Sequence, residues 1–208
     1  PLKTGICGIL TARILKARFA PEVNGVYTSP AVYMDDANKL KSSVKRVIYP
    51  IIESQVLGRS DGIKILFPSQ LEPFRKHIRR QVVGCFPAYV PVERFLSLDM
   101  PGKKEILFVG FPFKLKGVDT LIRAFKKVWT EFPEWRLKIL GWYPDMTELK
   151  AHMDGHPGIF HHQPVDYQDM PLHIGSCAIL VLPSRTEAMG RVLVEAMAAA
   201  KPRIGADI

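Results

Sequence analysis

From Lys104 onward, short apolar runs rich in β-branched and aromatic residues alternate with segments whose apolar positions recur at helical spacing. EILFVG at 105–110 predicts a strand, and Val118, Leu121, Ile122, Phe125, Val128, Trp129 and Phe132 then trace one face of a helix. RLKIL at 136–140 predicts a second strand, followed by a shorter helix around Met146–Met153. GIFH at 158–161 and AILVL at 178–182 read as further strands, and RIGA at 203–206 as a last one after a helix that opens at Gly190. Alternating strands and helices imply an α/β fold, a parallel sheet with helices on both faces. Such sheets bind ligands at the carboxyl ends of their strands.

The first half carries similar elements less regularly. Leu40 to Leu57 has a helical pattern that Pro50 should kink or divide. IKILF at 63–67 reads as a buried strand, residues 69–80 as a helix and VVGC at 82–85 as another strand. CFPAYVPVERFLSLDMPGKK at 85–104 has three prolines and no sustained period, which marks a linker and places the domain boundary there. The chain starts at Pro1 rather than Met and stops at Ile208 directly after a strand, so the expectation is of two domains, both incomplete.

Composition narrows the class. With 208 residues, 47% hydrophobic and 24% charged, the chain can bury a proper core and does not resemble a disordered one. CAILVLP at 177–183 falls well short of the roughly 18 apolar residues of a membrane span, and no secretory signal is visible. Cys7, Cys85 and Cys177 are odd in number and widely spaced, which argues against a disulfide framework or a zinc site and fits a reducing cytoplasm. His152 and His156 have the i,i+4 spacing of a helical metal pair, but Gly155 and Pro157 interrupt the helix; His161 and His162 should face opposite sides of a strand. No metal site is expected.

The net charge of +9 is concentrated in residues 1–100, where 15 Lys and Arg face 8 Asp and Glu. Lys39, Lys41, Lys45 and Arg46 form one cluster, and Arg75, Lys76, Arg79 and Arg80 another beside Leu71, Phe74 and Ile78. That pattern suits an anionic membrane surface or a phosphorylated substrate, against the plainer reading of a solvated helix face. No nucleic-acid-binding signature accompanies the charge.

The candidate chemistry lies in LPSRTEAMGRVLVEAMAAAKP at 182–202. Gly190 and Arg191 open a helix whose unpaired N–H groups and positive dipole end suit a phosphate. Arg191 stands in the first turn, where a cation opposes the dipole, and it precedes Glu195 in the weaker i,i+4 order. An anion at the helix mouth resolves that conflict; an exposed ion pair is the competing account. A second loop, GFPFKLKGVD at 110–119, places Lys116 and Gly117 between a strand and a helix start, so the two mouths could hold one diphosphate between them. Taken alone, a Lys-Gly loop reads first as a solvated lysine.

These residues resemble the retaining glycosyltransferases of family four (glycosyl transferases group 1), which have the GT-B fold. The resemblance rests on FVGFPFKLKGVDTLIRAF, on ILVLPSR and on EAMGRVLVEAMAAAKP, with its two glutamates separated by seven positions. It covers 105–208, and more loosely SDGIKILFPSQ and VPVERF. It implies two Rossmann-like domains: the end of an acceptor-side domain at 1–90, a linker at 91–104, and a nucleotide-sugar-binding domain at 105–208. It further implies sugar transfer from a nucleoside-diphosphate sugar to a glycan, lipid or small-molecule acceptor with retention, at the cytoplasmic membrane face, in glycan biosynthesis. No cofactor or metal is implied. Lys116 would bind the diphosphate with the backbone N–H groups of Gly190, Arg191 and Val192. Glu187 would bind the donor sugar and Glu195 the ribose, with Gly110, Gly117 and Met189 lining the site and Lys116 and Glu187 acting in catalysis. At about 1.5 Å rise per residue, Glu195 lies roughly 7 Å beyond Gly190, within reach of a ribose whose phosphates cap the helix.

The chain departs from the family at three points. Phe111 stands where an arginine commonly shares the diphosphate, and Lys114 is the candidate substitute, though an ammonium does not reproduce a guanidinium fork. Ala200 occupies a helix end that often holds glycine; a left-handed conformation there would cost about 1 kcal/mol. The family's acceptor-side glycine loop and histidine are not identifiable. A non-catalytic nucleotide-sugar-binding module, or a GT-B epimerase or hydrolase, are the alternatives to a transferase.

Overall fold

A computed structural model describes residues 2–25, 28–36, 38–96, 98 and 100–208. The chain divides into two compact units, Pro1–Tyr89 with Glu187–Met189, and Val90–Thr186 with Gly190–Ile208.

The first unit contains helices α1 (Leu2–Ile14) and α2 (Lys39–Gly58) and a parallel pair of strands, β1 (Gly62–Ile65) and β2 (Val82–Cys85). Its core is Val23, Leu57, Ile63, Ile65, Leu71 and Phe74. Three expectations change here. Pro50 does not divide α2, which is assigned as one helix from Lys39 to Gly58. Burial of Val56 and Leu57 on the C-terminal side and an Asn38 side-chain cap on the Lys41 N–H support it from both ends. The segment expected as a helix over 69–80 is instead a 3₁₀ helix, Pro68–His77. Pro73 removes an α-type donor, and the buried pair Leu71 and Phe74 has the i,i+3 spacing that a three-residue turn stacks on one side. The strand expected to run to Phe67 ends at Ile65.

The second unit is a five-stranded parallel sheet in the order β5-β4-β3-β6-β7. Its strands are β3 (Glu105–Val109), β4 (Arg136–Leu140), β5 (Ile159–His162), β6 (Ile179–Leu182) and β7 (Arg203–Gly205). The helices are α3 (Val118–Trp129), α4 (Thr147–Met153), α5 (Met170–Ser176) and α6 (Arg191–Ala198). Strand alternation sends Phe108, Leu137, Ile139 and Val181 into one core with α3 and α4, and Leu107, Leu140 and Leu180 into another with α5 and α6. On α3 the predicted face is realised in its first part, with Val118, Leu121, Ile122 and Phe125 buried, each contributing about 1.5–3 kcal/mol, whereas Val128 is exposed and Phe132, also exposed, lies past the helix end at Trp129. Phe95, in a 3₁₀ turn over Glu93–Phe95 inside the expected linker, is fully buried in the second core; Ser97 and Asp99 of that linker lie outside the described residues.

This order contains a topological switch. From β3 the chain moves outward through β4 to β5, then returns to add β6 and β7 on the other side of β3. The crevice at the carboxyl ends of β3 and β6 is where an open α/β sheet receives its ligand. The loops that leave those two strands are 110–117 and 183–190.

Candidate functional site

The β3–α3 loop is fixed from beneath. The Phe113 side chain is buried in the core, and the Val118 N–H donates to the Phe113 carbonyl at 3.1 Å, closing the turn that ends in Gly117. The Gly110 N–H donates to the Leu140 carbonyl at 3.0 Å, and the Tyr143 hydroxyl donates to the Gly110 carbonyl at 2.9 Å. Lys116 is half-buried, its stem beside Gly110: a Cβ on that glycine would lie 3.5 Å from Lys116 Cγ. Gly117 caps α3 with φ of 69°, and a Cβ there would collide with the Pro183 carbonyl oxygen. Only glycine fits the conformation and the approach of the two loops.

The β6–α6 loop meets it through Arg185. The guanidinium donates to both Asp119 carboxylate oxygens at 2.8 Å, to Thr120 Oγ1 at 3.0 Å and to the Lys114 carbonyl, while the Arg185 backbone N–H donates to the Leu115 carbonyl at 2.9 Å. Burial tends to raise the Asp119 pKa, but the Arg185 hydrogen bonds and charge, helped by Thr120 and Arg123, hold it below the ordinary carboxylate value. Asp119 also sits in the first turn of α3, where a negative charge suits the dipole.

Beyond that loop, Gly190 caps α6 with no side-chain hydrogen bond, and the Leu193 N–H donates to the Gly190 carbonyl at 2.9 Å. The helix mouth therefore presents the Arg191 and Val192 N–H groups without a side-chain cap. Glu195 is buried, 5% exposed, and accepts a hydrogen bond from the Tyr167 hydroxyl at 3.1 Å. Burial raises its pKa, offset in part by Tyr167 and the Arg191 charge. The account of Arg191 and Glu195 as an exposed ion pair fails on that burial. Tyr167 is itself held edge-on by Phe95 and covered by the Arg94 guanidinium, 5.2 Å from its ring centroid.

The structure thus brings Gly110, Lys116 and Gly117 to one side of the switch point, and Gly190, Arg191, Val192 and Glu195 to the other; Glu187 and Met189 lie in the loop that leads into α6. The ammonium of Lys114, the candidate substitute for the expected arginine, pairs with Glu148 at 2.9 Å. Phe111 is exposed and packs against Trp142, with centroids 5.4 Å apart. Arg185 and Tyr167 were not singled out by sequence. An apolar strand followed by a loop arginine, with an acidic residue in the first turn of a neighbouring helix, is the signal that points to the first; Tyr167 lies in a loop without periodicity. Among the described residues no cluster of three or more metal-ligating side chains occurs. The His152 Nδ1–H donates to the Glu148 carbonyl while the His156 ring packs on Trp129, so the two do not converge. His161 meets the Gly141 carbonyl and His162 the His173 ring, on opposite faces as expected.

A family model described as glycosyl transferases group 1 matches residues 93–208, more than half of the chain. The chain belongs to that family. Among curated proteins, this group 1 chain is 32% identical over 103 residues to an uncharacterized glycosyltransferase of Haemophilus influenzae, covering 48% of the chain and 28% of the relative. It is 29% identical over 130 residues to the D-inositol 3-phosphate glycosyltransferase of Arthrobacter, covering 59% and 31%. It spans less than a third of these relatives. Among solved structures, sucrose-phosphate synthase from Thermosynechococcus elongatus aligns over 98% of the chain and 54% of its own, with a TM-score of 0.75 at 16% identity. The pneumococcal O-GlcNAc transferase GtfA in complex with UDP and GlcNAc aligns over 98% and 40%, with a TM-score of 0.72 at 17% identity. These likenesses show the α/β, parallel-sheet GT-B fold of the group.

Proposed function

We propose that the chain is the donor side of a retaining, metal-independent glycosyltransferase that moves a sugar from a nucleoside-diphosphate sugar to a glycan, lipid or small-molecule acceptor. The observation that carries this is the pair of loops at the β3/β6 switch point, one bearing Lys116 and the other the uncapped mouth of α6. A diphosphate between them meets an ammonium and two backbone N–H groups at the positive end of a helix. Glu195 accepts hydrogen bonds from the ribose hydroxyls, and its Tyr167 contact keeps the carboxylate oriented. Glu187 binds the hydroxyls of the donor sugar.

In the transfer, the bond between the anomeric carbon and the diphosphate oxygen breaks while Lys116 and the α6 mouth neutralise the charge that leaves with the phosphate. The acceptor hydroxyl attacks from the face of departure and passes its proton to the departing phosphate oxygen. A double displacement would instead place a covalent sugar on Glu187. Mass spectrometry of the protein quenched with donor distinguishes the two: no adduct is expected, and a sugar on Glu187 that Glu187→Gln abolishes overturns the same-face route. Donor class is read by thermal shift across UDP, GDP, ADP and their sugars. Stabilisation by none of them overturns the donor-side reading.

A second reading, a non-catalytic nucleotide-sugar-binding module, is favoured by Phe111 at the usual arginine position and by the engagement of Lys114 with Glu148. Donor binding without transfer to any acceptor supports it. We place the protein at the cytoplasmic membrane face on the exposed Lys41, Arg46, Arg75, Lys76, Arg79 and Arg80; the Lys39 side chain lies outside the described residues. Co-sedimentation with anionic vesicles should weaken when the 75–80 cluster is neutralised, and an unchanged pellet discards the membrane assignment. No helix among the described residues is long and apolar enough to cross a membrane.

A further inference from the structure

We infer that Arg185 is a positioning residue that holds the two halves of the diphosphate clamp in register, an inference that rests on the donor-side reading above. Its contacts straddle the Lys116–Gly117 pair. On one flank its guanidinium reaches the Lys114 carbonyl and its backbone N–H the Leu115 carbonyl; on the other it grips Asp119 with two parallel bonds and touches Thr120 Oγ1. Gly117, between the flanks, admits the Pro183 carbonyl into the space a Cβ would fill. Lys116 therefore cannot shift relative to the loop that leads into α6 without breaking contacts on both sides of itself.

The arginine acts through its neighbours rather than on the ligand. Its charge is opposed by Asp119, whose side chain is only 14% exposed, and its own side chain is 27% exposed. A guanidinium suits the task because its planar fork can meet a carboxylate on two atoms and still present donors to a hydroxyl and a carbonyl. A lysine at 185 retains the charge and can pair with Asp119, but a single ammonium cannot span the Asp119, Thr120 and Lys114 acceptors together. Positional error of this kind falls on ligand affinity, since a diphosphate held from two sides needs both sides at the right separation.

The test is calorimetric titration of UDP, GDP, ADP and inorganic pyrophosphate into the wild-type chain, Arg185→Lys, Thr120→Val and Ile174→Val, with melting temperatures in parallel. Ile174 is fully buried on α5 in the second core and belongs to neither loop, so its valine variant lowers stability while leaving the Arg185 hydrogen bonds in place. The expected result is a tenfold or greater loss of affinity in Arg185→Lys, a two- to threefold loss in Thr120→Val and wild-type affinity in Ile174→Val at a comparable or lower melting temperature. Wild-type affinity in Arg185→Lys overturns the inference, as does a loss in Ile174→Val that tracks its melting temperature. Should Arg185→Lys fail to fold, an unchanged affinity in Thr120→Val overturns it. Failure of the wild-type chain to bind any of the four probes overturns the donor-side reading, and the positioning role with it.

Discussion

Asp119 in the second unit and Glu53 in the first are both carboxylates withdrawn from solvent, and they end in opposite states. Asp119 meets the Arg185 fork and is held below its ordinary pKa. Glu53, 6% exposed on α2, has one carboxylate oxygen without a hydrogen-bond partner, and burial pushes its pKa up to about 7. The difference shows what a partner does for a buried charge. In the second unit Asp119 is satisfied and serves to fix a loop; at Glu53 in the first, burial has outrun compensation.

The hardest blow to the interlocked region is Gly117→Ala. It forces an alanine into a left-handed conformation and sets its Cβ against the Pro183 carbonyl, at a cost of about 3 kcal/mol. Chemical denaturation should show that loss. A near-neutral Gly117→Ala would mean that the two loops are not locked together.

Glu53→Gln probes the other side of the comparison through pH. The unfolded carboxyl ionises near its model value of 4.5 and the folded one near 7, so between those values the folded state retains a proton that the unfolded state has lost. Stability from this group is therefore complete below pH 4.5, falls as pH rises, and is lost above pH 7. The loss amounts to about 3 kcal/mol at most. Melting temperatures of Glu53→Gln and wild type should agree near pH 4.5 and diverge in favour of the variant by pH 8; parallel curves would show that Glu53 has a partner in solution.

The second unit was the more legible in sequence for a physical reason. Its central strands β3, β4 and β6 are largely buried on both faces and the start of its α3 stripe is regular, so periodicity alone recovered β3, α3, β4, β5 and β6. Helix α5 left no periodic trace, being seven residues long with Pro171 in its first turn. In the first unit the apolar pair Leu71 and Phe74 fits α and 3₁₀ spacing alike, and only Pro73 separates the two. At the site, the backbone donors of α6 and the Lys-Gly loop could be inferred from glycine placement and strand ends. The Asp119–Arg185 bridge could not, because it joins residues 66 positions apart through a topology that no local pattern encodes. The fate of Lys114 was hidden likewise: its partner Glu148 lies on α4, 34 positions further along the chain.

Within the interlocked region, Lys116→Ala separates ligand binding from stability. The side chain is half-buried on the surface of a loop fixed by other residues, so melting temperature should move little, while affinity for nucleoside diphosphates falls about 10- to 100-fold through loss of one charge-assisted contact. Thermal shift with and without UDP, GDP and ADP reads both quantities. Equal loss of stability and affinity would make Lys116 a structural residue of the loop.

The mildest change acts at the other end of α6. Helix α6 closes as a Schellman turn: the Lys201 N–H donates to the Ala196 carbonyl at 2.9 Å and the Ala200 N–H to the Met197 carbonyl at 3.0 Å, which requires Ala200 at φ of 53°. The left-handed conformation costs an alanine about 1–2 kcal/mol. Glycine removes that strain but returns about 0.4–1 kcal/mol of entropy to the unfolded chain. Ala200→Gly should therefore stabilise the second unit by about 0.5–1 kcal/mol, or about 2–4 °C in melting temperature. Because Ala200 is exposed and the strain is confined to one backbone position, the gain should appear without change in nucleotide affinity. A gain accompanied by weaker binding would show that tension at the end of α6 is transmitted to its mouth, and that the two ends of this eight-residue helix are mechanically one.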